Sequence, residues 1–269
     1  MELMVTRIIS ALIAAIIFIP LLIIGGNVFD GAVIIVALLG LKEFIDIKCT
    51  KKEMPIFIKL MSYIIMTIIL LSSLGQKDLT FSLDYRVLAL LFITFLLPTV
   101  LYREKEKYSI NDAFYLIGGI LFLGISMSLI MLIRNTSLCL TIYLFLITIV
   151  TDTYAYFTGM LIGKHKLIER ISPKKTWEGT IGGTFFGVLI SSVFYHFLVS
   201  QVTQIPVVIL VTFVLSILGQ FGDLVFSCIK RYFGKKDFSN IMPGHGGVLD
   251  RLDSIIFVLL GFIFFMTIL

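Results

Sequence analysis

Apolar residues run along this chain in long unbroken blocks, separated by short polar segments. The blocks fall at about 8–24, 28–47, 56–74, 86–102, 111–133, 137–161, 178–199, 206–228 and 249–268. A helix needs ~20 residues to cross the hydrocarbon of a bilayer, so each block predicts a spanning helix, nine in all with an error of one. The runs are continuous rather than alternating, which argues against a barrel, and backbone facing lipid must otherwise satisfy its hydrogen bonds inside a helix. The expected fold is an all-α polytopic membrane protein.

Composition agrees with the pattern. Hydrophobic residues make up 58% of 269 positions and charged residues 14%, with a mean hydropathy of +1.05, far from the soluble mixture of about half apolar and a quarter charged. The first run follows Arg7 as a signal peptide would. No small-x-small cleavage site precedes Gly25-Gly26-Asn27 and further spans follow directly, so it reads as a retained helix. Cys49, Cys139 and Cys228 are scattered, without metal-ligand spacing or a disulfide framework, and read as packing residues.

Charge is polarised. The loops between spans two and three, four and five, six and seven, and eight and nine hold sixteen of the twenty-two Lys and Arg residues. Arg7 falls on the same side, whereas the other side shows only Lys77, Arg86 and Arg134. The positive-inside rule then puts these loops and the N-terminus in the cytoplasm and the C-terminus outside. The net charge of +5 becomes a one-sided field suited to anionic headgroups and nucleotides at the inner leaflet of the cytoplasmic membrane.

By chemistry the chain divides into an N-terminal transmembrane scaffold, 1–134, and a C-terminal catalytic region, 135–269, within one integrated membrane domain. In the first part Glu43 and Asp46 near a span end, and Asp112 at a helix start, read as interfacial or capping groups. In the second the polar residues gather in two basic segments, 163–177 and 231–248, on one face. Two such segments suggest one shared anionic ligand.

Asp223 stands inside span eight, and spacings of four and seven put it on one helical face with Ser227 and Lys230. Asp223 lies about 10 Å below Lys230 along the axis. A carboxylate at that depth costs up to ~2.5–3.5 kcal/mol, which makes function its default reading, against a structural ion pair with a neighbouring helix. Asp250 and Asp253 open span nine with Arg251 between them. Capping explains either one, since the helix dipole favours negative charge there. Asp250 with Asp223 can also hold Mg²⁺, which takes one or two protein carboxylates and completes its shell with water and phosphate oxygens.

Pro243-Gly244-His245-Gly246-Gly247 supplies a turn that lets backbone approach a phosphate just ahead of that helix. His245 can be a base, a hydrogen-bond donor to phosphate or only a turn residue, and the donor role is favoured because a phosphate nucleophile is already ionised. In the other basic segment Ser172 and Thr176 can donate to phosphate, Lys174 and Lys175 supply charge, and Trp177 suits the interface. Asp152 lies roughly 15 Å from the cytoplasmic end of span six. It can bind a cation, orient a loop lysine or bond to Tyr156.

These residues resemble the phosphatidate cytidylyltransferases, also called CDP-diacylglycerol synthases. That family's C-terminal signature is Ser-x-x-Lys-Arg, four residues, Lys-Asp, seven residues, then His-Gly-Gly-x-x-Asp-Arg-x-Asp, and the chain meets every fixed position from Ser227 to Asp253. The segment Asp152 to Gly179, with Ser172-Pro173-Lys174-Lys175-Thr176-Trp177-Glu178-Gly179, is similar to the family's other strong block. The resemblance implies that CTP and phosphatidate give CDP-diacylglycerol and pyrophosphate, with Mg²⁺ required. It makes Asp223 and Asp250 the metal carboxylates. It makes Lys230, Arg231, Lys236, Lys174, Lys175, His245 and Arg251 phosphate or nucleotide contacts, with Ser172, Thr176, Ser227, Asp237, Gly246 and Gly247 in the substrate site. A second cation, if present, would draw on Asp253 and Asp152.

The expected partners are CTP, phosphatidate and membrane lipids, with no nucleic acid. Gly118-Gly119 and Gly182-Gly183 leave a homodimer open beside internal packing. Two rival functions use similar groups. A CTP-dependent kinase of polyprenol or phytol type would pass the γ-phosphate to an alcohol and release CDP. A transporter would place its site near the midplane with broken helices.

Overall fold

A computed structural model describes residues 2–75, 84–102, 107–242, 244, 246–266 and 268, with residues 2–9 and Ala11 described by backbone alone. The expectations for Arg7, Lys77, Pro243 and His245 therefore lie outside the described residues or side chains. Among the described residues the chain forms nine α-helices: α1 (Glu2–Ile24), α2 (Gly26–Cys49), α3 (Ile56–Ser72), α4 (Tyr85–Leu101), α5 (Ile110–Thr136), α6 (Leu138–Ile162), α7 (Trp177–Phe194), α8 (Ile205–Tyr232) and α9 (Leu249–Phe262). They stand where the nine apolar blocks predict helices. Four, α5, α6, α7 with its continuation, and α8, have the length and apolarity to cross a membrane. The fold is that of an all-α membrane protein.

Two departures refine that class. Between α6 and α7, where the sequence predicts a loop, Lys166–Ile168 (β1) and Ser172–Thr176 (β2) pair as an antiparallel hairpin. Pro173 is accommodated because a two-stranded ribbon consists of edges alone. The last turn expected of α7 is a π-helical turn, Tyr195–Val199, closed by Ser200 N donating to the Tyr195 carbonyl at 3.1 Å.

The chain forms two compact units, Met1–Thr136 with Phe233–Arg251, and Ser137–Tyr232 with Leu252–Leu269. In the first, α5 packs against α2, α3 and α4. It is apolar all round and buried along most of its length, as a central helix must be. Both its ends are tied by polar contacts. Asp112, the third residue of α5, accepts from Ser109 N at 2.9 Å, the return half of a capping box. It also pairs with Lys48 at 2.9 Å and Lys52 at 2.5 Å. At the other end Arg134 Nη2 donates to the Ile23 carbonyl at 2.9 Å, and Asn135 donates to Asp30. Gly25, at φ 67°, makes room for the Arg134 guanidinium, which would overlap any Cβ there.

In the second unit α7 packs on α6, with α8 against both. Two stripes of small residues with a four-residue period make the close approach possible: Thr151, Ala155 and Gly159 on α6 with Gly163 at its C-cap, and Gly179, Gly183 and Gly187 on α7. A Cβ on Gly183 would stand 2.5 Å from the Thr151 carbonyl and 2.7 Å from Ala155 Cβ. Gly182 meets Thr158, and in the first unit Gly119 meets Phe44. Three of the four glycines read as candidates for a dimer contact thus serve packing inside the chain. Side-chain bonds stitch the helices further: Tyr143 to Thr212 at 2.8 Å, Thr151 to Ser216 at 2.9 Å and Gln220 to Thr184 at 2.8 Å. The three cysteines are free thiols, and Cys228 is exposed on α8 rather than packed.

Candidate active site

In the second unit, the hairpin hands its cargo to α7 directly. Thr176 ends β2 and caps α7, its hydroxyl accepting from Gly179 N at 3.2 Å. Its neighbour Lys175 is thereby held at the helix start and forms an ion pair with Asp223 of α8 at 2.5 Å. Ser227, one turn along α8, donates to the other Asp223 oxygen at 3.3 Å. Arg231, a further turn on, reaches back to the hairpin and donates to the Ile171 carbonyl at 3.4 Å. Glu178 holds the hairpin's other end through His165 Nδ1 at 2.6 Å.

Further acids gather around this pair. Asp152 on α6 accepts from Ser254 Oγ of α9 at 3.2 Å and interacts electrostatically with both Lys175 and Asp223. Asp253 on α9 interacts with Asp223, Asp152 and Lys230. Gly222 lets α9 come this close to α8, since a Cβ there would stand 2.6 Å from the Asp253 carbonyl and 2.9 Å from Phe257. Lys230 is buried, whereas Lys174 is exposed. Three carboxylates and two ammonium groups from four elements therefore lie within electrostatic reach of their neighbours in this cluster. Among the described residues, no set of three or more His, Cys, Asp or Glu side chains is arranged to chelate a metal by itself.

An apolar cleft of about 1000 Å³ opens between α7 and α8 of the same unit. It runs from Trp177 and the hairpin residue Ile168, past Val188 and Phe213, to Phe197 and Ile205. Leu224, the residue after Asp223, belongs to its wall.

The first unit carries the glycine-rich segment. Met242 and Gly246 exchange backbone hydrogen bonds of 2.9 and 3.1 Å, closing a tight turn, and Gly246 adopts φ 86°. Asp250 is buried, and its Oδ2 accepts from Phe238 N at 2.9 Å and Gly247 N at 2.8 Å. Lys236, Asp237 and Arg251 are exposed.

Glu43 overturns its interfacial reading. It is 1% exposed, and it accepts from Ser239 Oγ at 2.5 Å and from Val248 N and Leu249 N at 2.8 Å each. Nothing local singled it out, since it is one of several charged residues toward the end of α2 with Lys42, Asp46 and Lys48, and the two amides it accepts from lie 205 and 206 residues away.

Comparison with known proteins covers the whole architecture. The sequence model of the Cytidylyltransferase family matches residues 5–269. A phosphatidate cytidylyltransferase of Staphylococcus haemolyticus is 38% identical over 258 residues, 95% of this chain and 96% of that protein. Those of Staphylococcus saprophyticus and Staphylococcus aureus are 35% and 36% identical over 256 residues, with the same coverage.

Proposed function

Because this chain belongs to the Cytidylyltransferase family, we propose that it transfers the cytidylyl group of CTP to phosphatidate, yielding CDP-diacylglycerol and pyrophosphate. The observation that carries the reading is the junction of the two motif blocks. Lys175 of the first lies 2.5 Å from Asp223, which sits one turn before the second, beside an apolar cleft of about 1000 Å³. Cations, carboxylates and a lipid-sized apolar cleft in one unit suit a phosphorylated lipid. The acyl chains lie along α7 and α8, and the phosphate meets the lysines at the hairpin end.

A phosphatidate oxygen attacks the α-phosphorus of CTP in line. The new P–O bond forms as the bond from the α-phosphorus to the bridging oxygen breaks, and pyrophosphate leaves with that electron pair. The chain's own part is positioning and electrostatics, as in other phosphoryl transfers. Lys174, Lys175, Lys230 and Arg231 bind phosphate oxygens, with Lys236 and Arg251 as further contacts. Ser172, Thr176 and Ser227 donate hydrogen bonds. The ionised nucleophile needs no base.

The donor chemistry fits a divalent cation that draws most of its ligands from water and substrate. Asp223 already holds the Lys175 ammonium in a cation's position. Asp223 would hold Mg²⁺, the family motif adds Asp250, and Asp152 and Asp253 would serve a second cation. Bound Mg²⁺ would neutralise charge on the triphosphate. The basic loops face the cytoplasm, and the enzyme works in the cytoplasmic membrane.

The test is purified protein in detergent with phosphatidate, Mg²⁺ and α-labelled CTP. Label entering lipid with release of pyrophosphate supports the reading. Release of CDP, with label excluded from lipid and a lipid alcohol required, replaces it with the kinase.

A further inference from the structure

Two buried carboxylates close one loop. Glu43 of α2 binds Ser239 at the loop's start and Val248 and Leu249 at its end. Asp250 binds Phe238 at the start and Gly247 at the end. The contacts of the two interleave along the chain, so each carboxylate crosses the loop mouth and neither can let go without loosening residues held by the other. Between them lies the turn closed by Met242 and Gly246.

The chemistry of the Glu43 contacts is that of a cap supplied from another helix. Val248 N precedes and Leu249 N opens α9, and amide groups at a helix start have no partner within their own helix. A carboxylate there gains charge-assisted bonds and the favourable end of the dipole. Gly247 is glycine for a steric reason, because a Cβ would stand 2.5 to 2.7 Å from the Glu43 carboxylate atoms.

We propose that Glu43 is a positioning residue for cytidylyl transfer: from α2 it sets the geometry of the glycine-rich loop and hence of Asp250. This rests on the function proposed above, in which Asp250 would help hold the Mg²⁺ that serves the triphosphate, and on the family resemblance that puts Gly246 and Gly247 in the substrate site. Glu43 touches no reacting atom. It acts through the Ser239 hydroxyl and the Val248 and Leu249 amides, so its loss falls on the nucleotide and spares the lipid.

The experiment compares wild-type protein, Glu43→Gln, Glu43→Ala, Gly247→Ala and the Glu43→Ala/Gly247→Ala double variant. Steady-state kinetics for each substrate are measured alongside amide hydrogen exchange over 238–250. Expected for Glu43→Gln are a loss of tenfold or more in kcat/KM for CTP, an unchanged KM for phosphatidate, and at least tenfold faster exchange at Val248 and Leu249. Gly247→Ala should reproduce this by displacing the carboxylate. The double variant should be no worse than Glu43→Ala, since the clash has gone. Wild-type kinetics in a folded Glu43→Gln overturn the proposal, and so does a loss spread equally over both substrates. If Glu43→Gln does not fold, Gly247→Ala decides on the same criteria. Absence of product from the wild type defeats the proposed function instead, and the exchange rates still report whether the brace exists.

Discussion

Gly183→Ala tests whether the close contact of α6 and α7 holds the hairpin end in place. The added methyl would stand 2.5 Å from the Thr151 carbonyl, 2.7 Å from Ala155 Cβ and 3.0 Å from Ala155 N. All three belong to backbone or to a Cβ, so no side chain can rotate away and the helices must part. Overpacking of this kind costs ~1–3 kcal/mol. Alanine also returns about 0.5–1 kcal/mol of helix propensity, which masks part of the cost. Gly118→Ala supplies the correction, because it lies within α5 and a Cβ there meets nothing within 4 Å. The difference between the two variants cancels the propensity and leaves the steric cost of about 1–3 kcal/mol. The assay is thermal unfolding of both variants in one detergent, with cytidylyl transfer measured in parallel. Gly183→Ala should melt several degrees below Gly118→Ala and lose activity, as Lys175 and Thr176 lie at the start of the displaced helix. A Gly183→Ala protein melting at or above Gly118→Ala refutes the packing argument.

Asp223→Asn should lower kcat at least ~100-fold without unfolding the protein, the scale set by loss of one electrostatic group in a transfer site. Chelation of Mg²⁺ should abolish wild-type activity reversibly, and near-normal rates in either experiment count against the metal assignment. Thr176→Ala removes the α7 cap and should cost ~1 kcal/mol, while Thr176→Ser should restore most of it, both read by thermal unfolding. Val188→Trp fills the apolar cleft and should lower kcat/KM for long-chain phosphatidate by about tenfold or more, sparing a short-chain analogue, as expected where a few kcal/mol of chain burial is lost. An equal effect on both chain lengths would place the acyl chains elsewhere.

How far the sequence carried depends on the range of the interaction involved. Helix positions were legible because hydrophobic runs of bilayer length act locally, and the motif blocks were legible because their spacing is written within single segments. The hairpin was not, since Lys166–Thr176 is short, polar and interrupted by Pro173. The contacts of Glu43 were invisible for a different reason. They join α2 to residues some two hundred positions away, and no local pattern marks which carboxylate will accept from which amide.

From its sequence alone the chain is determined to be a helical membrane protein that carries the residue types of cytidylyl transfer, because hydropathy and motif spacing are properties of neighbouring residues. Tertiary structure decided that Lys175 pairs with Asp223, that small-residue stripes draw α6 and α7 together, and that Glu43 braces the glycine-rich loop. Those outcomes depend on burial, where a carboxylate must find donors or pay its desolvation, and burial exists only once distant segments have packed.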